Sequence, residues 1–416
     1  MDVDDMIELK LVHEIHTSGR KAFRTCRRSW DYTFRQQYYP KLTAKPLEFG
    51  SAYHKAMEVY YNPETWDWDR EVVAGMAILA FVKMCEEQKA SAVDSSGHLY
   101  LENEQEEDYA ERVELGKGML TYYFTSVAPK IDKGWTPVKV EIGFMVPIAN
   151  PDTGADVIWC RCPNCWAKWK TKNPDVVGDG FIEIDILDKM PDELIWPGLP
   201  VVYAGRLDML AVDENGNYWI FDWKTAAQLS QRTDFLYLDD QIGSYNWALM
   251  KLGVNVKGFV YHEQRKSFPQ PPKQNASRRL GRLFTVSKSE PLEYELYLAT
   301  IKEQDTKAWQ DGLYDDMLRY LQDDNVAYYA RYQIAKSVPE LVEIETNIGK
   351  EALDMIDPNL RVYPSPSRFG CSWCAYQSPC MEQNAQGDYR YALDTMFEQR
   401  EHYYIRNDPS TEKSPR

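Results

Sequence analysis

The amino-acid sequence predicts an α/β fold in which helices flank a central sheet. Helical sequence extends through residues 17–37, 49–61 and 67–127. It gives way at 137–147 and at 201–226 to the alternation of apolar and polar residues that is typical of strands. Because both kinds of element are well represented, we expect one sheet covered by helices.

The first helix, residues 17–37, is predicted to have Thr17 or Ser18 as its N-cap, because a hydroxyl oxygen accepts a hydrogen bond from the first turn. The largely helical sequence at 62–135 is interpreted as a helical insertion. Residues 148–200 are irregular, rich in Pro, Asp and Gly, and contain three cysteines, so we interpret them as a cysteine-bearing insertion.

Residues 201–226 predict a β-hairpin, because two strand-like runs flank the turn sequence DENGN. A two-residue turn would pair Asp208 with Trp223. A three-residue loop with Gly216 in the left-handed conformation would instead pair Asp208 with Asp222. We favour the three-residue loop, since it brings both carboxylates to one face of the hairpin.

Strand alternation places Lys224 on the same face as Asp222. The opposite face is predicted to be apolar and to consist of Leu207, Met209, Ala211, Trp219, Phe221 and Trp223. A hairpin this apolar is expected in the middle of a covered sheet.

After the hairpin, a helix is predicted at 238–252, where Gln241 and Tyr245 share a face at i, i+4 spacing. A strand is predicted at 256–262, followed by a loop and helical region at 265–350. With no internal repeat, residues 1–416 are enough for one large domain with insertions or for two modest ones.

The composition is that of an ordinary globular protein, with 44% hydrophobic and 27% charged residues. No apolar run approaches the roughly twenty residues of a membrane helix. The acidic start MDVDDMIELK does not resemble a signal peptide. We therefore expect a cytoplasmic protein with no membrane segment.

The net charge of −16 does not by itself favour DNA binding, because phosphate affinity comes from Lys and Arg. The charge is uneven, however, with basic stretches at 20–28, 168–172 and 257–282 and acidic ones at 102–114 and 311–324. A basic face on an acidic body is compatible with a nucleic-acid partner.

Two carboxylates facing each other across a hairpin repel unless one is protonated or a cation lies between them. Asp208 and Asp222 are therefore candidate ligands of Mg²⁺ or Mn²⁺, which prefer oxygen donors. With Lys224 beside them, such a centre suits phosphodiester hydrolysis. The alternative is a surface hairpin with a simple Asp–Lys ion pair.

Six segments, taken in order, resemble the PD-(D/E)xK nucleases of the RecB-like branch, which includes CRISPR-associated iron–sulfur exonucleases. They are SGRKAFRTCRRSWDY, FGSAYHKAME, GRLD, FDWKTA, QIGSY and FGCSWCAYQSPC. The resemblance implies a restriction-endonuclease-like central mixed sheet flanked by helices. It also implies a single RecB-like nuclease domain that acts on DNA.

The resemblance implies roles for individual residues. His54, Asp208 and Asp222 correspond to metal ligands, although the family often has Glu where this chain has Asp222. Lys224 corresponds to the catalytic lysine. Gln241 and Tyr245 match a QxxxY element that contacts DNA or braces that lysine, and Glu141 is a weaker candidate beside the metal or for a second metal ion.

The cysteines suggest further cofactors, because clustered cytosolic thiols are commonly metal ligands. Cys371, Cys374 and Cys380 lie in the C-terminal segment 361–385, far from Cys26. Their spacing fits either zinc or a 4Fe-4S cluster. The resemblance favours the cluster, since one early and three late cysteines occur in the iron–sulfur members, where the cluster would have a structural role.

The insertion contains Cys160, Cys162 and Cys165, which resemble a zinc knuckle that lacks one ligand. The fourth ligand can be Cys85, His98, a nearby Asp or none, so Zn²⁺ at this site stays open. Cys85 alternatively fits a buried apolar position. Neighbouring aromatic and basic residues are typical of single-strand binders, namely Trp166, Lys168, Trp169, Lys170 and Lys172.

The predicted activity is therefore metal-dependent cleavage of DNA, exonucleolytic and on single-stranded ends, with a helicase or recombination protein as a partner. Two alternatives remain open. One is a non-catalytic DNA-binding or recombination subunit, and the other is a zinc-stabilised interaction scaffold.

Overall fold

The computed structural model describes residues 14–41, 45–91, 102–160, 199–230, 233–276, 279–322 and 328–399. Six strands form a central sheet and four others form two small two-stranded sheets. The strands are β1 Glu14–Ile15, β2 Tyr38–Pro40, β3 Thr136–Pro147, β4 Ile158–Cys160, β5 Leu199–Pro200, β6 Val202–Val212, β7 Tyr218–Ala226, β8 Val256–Arg265, β9 Tyr329–Ile334 and β10 Phe397–Gln399.

The helices flank this sheet. They are α1 Thr17–Thr25, α2 Arg27–Trp30, α3 Lys45–Tyr60, α4 Arg70–Ser91, α5 Glu102–Tyr122, α6 Ala128–Ile131, α7 Asp240–Lys251, α8 Tyr294–Gln304, α9 Thr306–Gln310, α10 Asp315–Gln322, α11 Val338–Ile356, α12 Arg368–Ser372, α13 Gln377–Asn384 and α14 Tyr389–Met396. In the part of the chain that the structure describes, no helix has the length and apolarity needed to span a membrane.

The central sheet is mixed. β3 runs antiparallel along one edge of β6, while the other edge of β6 is shared by β1, which is parallel, and β7, which is antiparallel. β8 is parallel to β7, and β9 closes the sheet in antiparallel orientation. The predicted α/β class with a central mixed sheet flanked by helices is confirmed.

The hairpin between β6 and β7 has the predicted three-residue loop. The N–H of Asp213 donates to the carbonyl of Asn217 at 3.0 Å, and Gly216 has a φ of 78°. The ladder then pairs Val212 with Tyr218 and continues to Met209 opposite Phe221. This is the register that we favoured, and the ladder stops at this pair, immediately before the positions of Asp208 and Asp222.

Alternate residues of each strand point to opposite faces of the sheet, so both faces carry apolar side chains. Helices cover both faces. On one face, α1, α7 and α11 bury Phe23, Leu249 and Ile348 with Ile220 of β7. On the other face, α3, α4 and α5 bury a second cluster with Phe221. The site described below lies between these two layers.

The predicted apolar face of the hairpin is wrong in part. Met209, Ala211, Trp219, Phe221 and Trp223 pack together in the second cluster, whereas Leu207 packs in the first. The alternation of β6 is therefore broken at Asp208. This is also the point at which the ladder with β7 ends, so regular pleating is not imposed there.

The first helix is shorter than predicted. α1 begins at Thr17 with His16 as its N-cap, so Thr17 and Ser18 are not caps, and the Thr17 hydroxyl instead lies 2.6 Å from that of Tyr203. The helix stops at Cys26, whose backbone is extended. Local propensity cannot reveal this break, because tertiary contacts of Cys26 with the C-terminal segment accompany it.

Of the other predicted elements, most are present in the structure and one strand was missed. The helices at 49–61 and 238–252 and the strand at 137–147 are present with small changes of boundary. In the region 265–350, predicted as loop and helix, the strand β9 was missed. β9 has six residues and gains its stability by pairing with β8 at the sheet edge.

A third apolar cluster contains Phe284, Tyr297 and Tyr314. Segments near both ends of the described structure meet on a fourth apolar cluster, formed by Tyr32, Tyr376, Leu393 and Phe397. β2 pairs with β10 beside it. Tyr376 donates a hydrogen bond from its hydroxyl to the Tyr38 carbonyl at 2.5 Å. This packing brings the segment around Cys26 next to the C-terminal cysteines.

Candidate metal centre and catalytic site

The site forms where β6 and β7 stop pairing. Beyond Met209 the two strands diverge, and the Asp208 carboxylate accepts a hydrogen bond from the backbone N–H of Trp223 at 2.9 Å. The side chain thus takes the place of a backbone partner that the ladder no longer supplies. β7 keeps its regular parallel pairing with β8, so the position of Asp222 is set by a continuous sheet.

One group of side chains among the described residues has the arrangement of a metal site. His54, Glu141 and Asp208 each offer a ligand atom, and these atoms lie within 4.8 Å of one another. His54 Nδ1 is 3.3 Å from Asp208 Oδ1. α3, β3 and β6 supply one residue each, so three distant parts of the chain converge on one spot.

Glu141 reaches this spot through an irregular backbone. It lies in β3 opposite Asp208, between the pairs Val140–Met209 and Ile142–Leu207, and has a φ of 49°. A positive φ is strained for a residue with a Cβ, and such strain concentrates at functional sites. Its position and its strained backbone therefore make Glu141 a better-supported metal ligand than the sequence analysis indicated.

Asp222 is held by two neighbouring side chains. Lys224 Nζ lies 2.8 Å from it, and Gln241 Nε2 donates to Asp222 Oδ1 at 2.9 Å. The Asp222 side chain is nearly fully buried. Since Gln241 is in the first turn of α7, this bond joins the helix layer to the sheet at the site.

The titration of the site follows from its burial. Burial raises the pKa of Asp222 to about 6 against the opposing charge of Lys224. Burial and the Asp208 charge raise the pKa of Glu141 to about 7. Burial alone would lower the pKa of His54, but Asp208 raises it to about 9.

Asp208 itself stays ionised. Burial would raise its pKa, but His54, Lys224 and the Trp223 N–H hold that pKa below its ordinary value. Three carboxylates therefore lie close to one another at the site, and a divalent ion that replaced the His54 proton would neutralise part of their charge.

The two residues of the predicted QxxxY element have different surroundings. Gln241 reaches Asp222. Tyr245 lies one turn further along α7 and is buried, with its ring edge-on to Phe144 at 5.1 Å. Gly205 of β6 leaves room for this packing, because a Cβ there would approach the Tyr245 ring to 3.1 Å.

A buried network supports β7 from behind, and the sequence did not reveal it. The Trp223 ring stacks on Tyr61 at 5.0 Å, and the Tyr61 hydroxyl donates to Asp132 at 2.6 Å. Asp132 is also ion-paired with Arg331 at 2.8 Å. These residues are far apart in sequence and no local pattern links them.

Arg206 was also missed. Its guanidinium lies 3.6 Å from Glu141. Its position two residues before Asp208 on the same strand was the available signal, since i, i+2 residues share a face. The neighbouring cation favours the charged form of Glu141 at the site.

The four predicted cluster cysteines come together. The backbone N–H of Ser365 donates to Cys26 Sγ at 3.4 Å, and Arg28 donates to Cys380 Sγ at 3.5 Å. Burial raises the pKa of Cys374, and the neighbouring Cys26, Cys371 and Cys380 raise it further. The four thiols are free and not paired in disulfides.

Four thiols this close together, with a raised pKa at Cys374, are a poor arrangement unless a cation is shared between them. The Cys26, Cys371, Cys374 and Cys380 group therefore fits a metal or cluster site. N–H donors to three of the sulfurs, including the 3.4 Å bond from Ser367 to Cys371, would stabilise thiolates.

The other cysteines are accounted for differently. Cys85 is fully buried in the second apolar cluster, and burial raises the pKa of its thiol to about 11. Cys160 is the last residue of β4. Cys162 and Cys165 lie outside the described residues, as do His98 and the basic stretch at 168–172.

A mixed α/β sheet that presents a D-x-K strand end, a second aspartate and a histidine belongs to the class of divalent-metal phosphodiester hydrolases. The family model of the PD-(D/E)XK nuclease superfamily matches residues 17–381. The chain therefore belongs to this nuclease superfamily. Comparison with individual curated proteins finds no match.

Proposed function

We propose that this protein is a metal-dependent DNA exonuclease of the RecB-like kind that acts on single-stranded ends. The observation that supports this most is the convergence of His54, Glu141 and Asp208 next to the Asp222–Lys224 pair. A non-catalytic relative would be expected to lack one of these groups, and all are present.

In this proposal His54, Asp208 and Asp222 hold Mn²⁺ or Mg²⁺, and Glu141 either assists them or serves a second ion. The bound ion supplies Lewis acidity and charge neutralisation at the phosphate. Lys224 positions the attacking water and stabilises negative charge on the phosphate oxygens with its ammonium group. Gln241 keeps Asp222 oriented by its 2.9 Å hydrogen bond.

We further propose that Cys26, Cys371, Cys374 and Cys380 hold a structural 4Fe-4S cluster. Four thiolates suit either tetrahedral zinc or a 4Fe-4S cluster. The cluster is favoured because one early and three late cysteines resemble the arrangement in the iron–sulfur members of the family. Zinc at Cys160, Cys162 and Cys165 remains a separate proposal.

The proposal is tested by incubating the protein with end-labelled single- and double-stranded DNA in Mn²⁺, with and without a chelator. We expect terminal nucleotides to be released from the single strand, and the chelator to stop this release while excess Mn²⁺ restores it. A protein that binds the DNA with and without chelator but never cuts it would be the non-catalytic DNA-binding subunit instead.

Metal affinity is expected to increase with pH. Protons on His54 and Glu141, whose pKa values are raised to about 9 and about 7, compete with the cation, because both groups bind metal only when deprotonated. Between about pH 6 and 9 the Mn²⁺ affinity should rise by up to about tenfold per pH unit for each proton displaced. Calorimetric titration of Mn²⁺ at several pH values measures this.

The matched control is Glu141→Gln, which removes the lower of the two protonation steps and should flatten the profile below about pH 7. An affinity that does not change across this range would mean that neither group is a ligand.

A further inference from the structure

Two large aromatic side chains project into solvent from the cysteine segment. Trp373 is 90% exposed and Phe369 is 79% exposed. Phe369 is in α12, just before Cys371, and Trp373 immediately precedes Cys374. Large aromatic residues with so little cover are unusual on a protein surface and mark sites of interaction.

The backbone that carries these rings is well anchored. The Ser367 hydroxyl accepts a hydrogen bond from the Gly370 N–H at 3.0 Å, and the Cys374 N–H donates to the Cys371 carbonyl at 3.2 Å. Tyr376, two residues after Cys374, is buried in the fourth apolar cluster. The rings are therefore presented by a fixed loop, which limits the entropy lost when a ligand binds.

The two chain segments that meet here are basic, although the protein carries a net charge of −16. Residues 17–30 and 361–381 contain no Asp or Glu. Their cationic residues are Arg20, Lys21, Arg24, Arg27, Arg28, Arg361 and Arg368. Arg20, Arg24 and Arg27 among them are ion-paired with acidic residues of other segments. The two segments adjoin, since the Arg28 N–H donates to the Tyr363 carbonyl at 3.2 Å and Arg27 lies over the Tyr363 ring.

Helix α1 links the cysteine segment to the candidate metal centre. Arg24 is ion-paired with Asp240 at 3.0 Å, and the next residue, Gln241, bonds Asp222. The buried Arg20 also bonds Asp240, so α1 connects the cysteine segment to the first turn of α7.

We propose that Phe369 and Trp373, with the exposed Arg368, whose guanidinium lies 6.0 Å from the centre of the Phe369 ring, form a platform on which unpaired bases of single-stranded DNA stack. Single-stranded DNA binds to aromatic rings that have positive charge beside them. Each base can stack on a ring through its π-face, and each phosphate is attracted by the positive charge. Bases in a duplex are already stacked and cannot use the platform. This inference takes its substrate class from the proposed function, and it adds the place on the protein where the strand is bound.

The test is the affinity of Trp373→Ala for a labelled oligothymidylate of about ten nucleotides, measured by fluorescence anisotropy in a chelator so that no cleavage occurs. We expect binding to weaken by about tenfold, with duplex binding unchanged. Trp373→Phe should restore near-parental affinity, because a ring is retained. Metal content and thermal midpoint should equal those of the parent protein.

The matched control is Trp68→Ala. Trp68 is also exposed, at 54%, but it lies between Asp67 and Asp69, so its loss should not change DNA binding. Parental single-strand affinity in Trp373→Ala, or an equal loss for duplex, overturns the platform. A parent protein that binds the strand but leaves it intact in Mn²⁺ overturns the proposed function alone.

Discussion

Replacing Lys224 with alanine is expected to abolish cleavage while leaving DNA binding nearly unchanged. The Lys224 ammonium lies 2.8 Å from Asp222, and in the proposed mechanism it stabilises the negative charge that builds up on the phosphate. Removing one group that stabilises a transition state typically lowers the rate by about a hundredfold to a thousandfold. Single-turnover cleavage of end-labelled DNA in Mn²⁺ measures the rate, and anisotropy in a chelator measures the affinity.

Lys251→Ala is the matched control for this experiment. Lys251 is at the last turn of α7 and pairs with Glu345 on the protein surface, away from the carboxylates. Its removal takes away the same charge but should leave cleavage at the parental rate. Normal cleavage by Lys224→Ala would mean that the lysine only balances the charge of Asp222, and the catalytic assignment would be withdrawn.

Replacing Cys374 with alanine is expected to lower thermal stability and iron content together. Cys374 lies among three other thiols, and the shared metal group would join α1 to the C-terminal segment. Loss of this connection should lower the thermal midpoint by roughly 10 °C, because metal binding and folding of such segments are coupled. Calorimetry and metal analysis of anaerobically purified protein measure both quantities.

Cys85→Ala provides the comparison. Cys85 is equally a cysteine, but it is buried among apolar side chains of α4 and α5. Its removal should destabilise the fold by about 1 kcal/mol and leave the iron content unchanged. If Cys374→Ala kept its iron, Cys374 would not be a ligand; if the parent protein held zinc and no iron, the cluster proposal would fail.

The hairpin shows why part of the site could be predicted. Its register depends on neighbouring residues: the turn sequence allows a two-residue or a three-residue loop, and Gly216 supplies the positive φ that the three-residue loop needs. Once the loop is known, the residues that pair along the ladder follow by counting. The pair Gln241 and Tyr245 could be placed on one helix face for the same reason, since helix geometry is local.

Glu141 shows the limit of this reasoning. In sequence it is one acidic residue in a strand, and nothing nearby distinguishes it. Its carboxylate joins His54 and Asp208 only because β3 pairs with β6 and its backbone adopts a φ of 49° there. Pairing between distant strands depends on the packing of the whole sheet, which a local pattern does not contain.

The sequence by itself predicted the α/β class, the favoured hairpin register and candidate metal ligands, with Glu141 as the weaker one. Only the tertiary structure decided that the β6–β7 ladder ends at Met209, that Leu207 packs opposite to Met209, and that Cys26 interrupts a helix to meet the late cysteines. The physical reason is the separation along the chain over which each effect acts. Turn chemistry and periodicity act over a few residues, whereas burial and charge act between segments that the fold brings together.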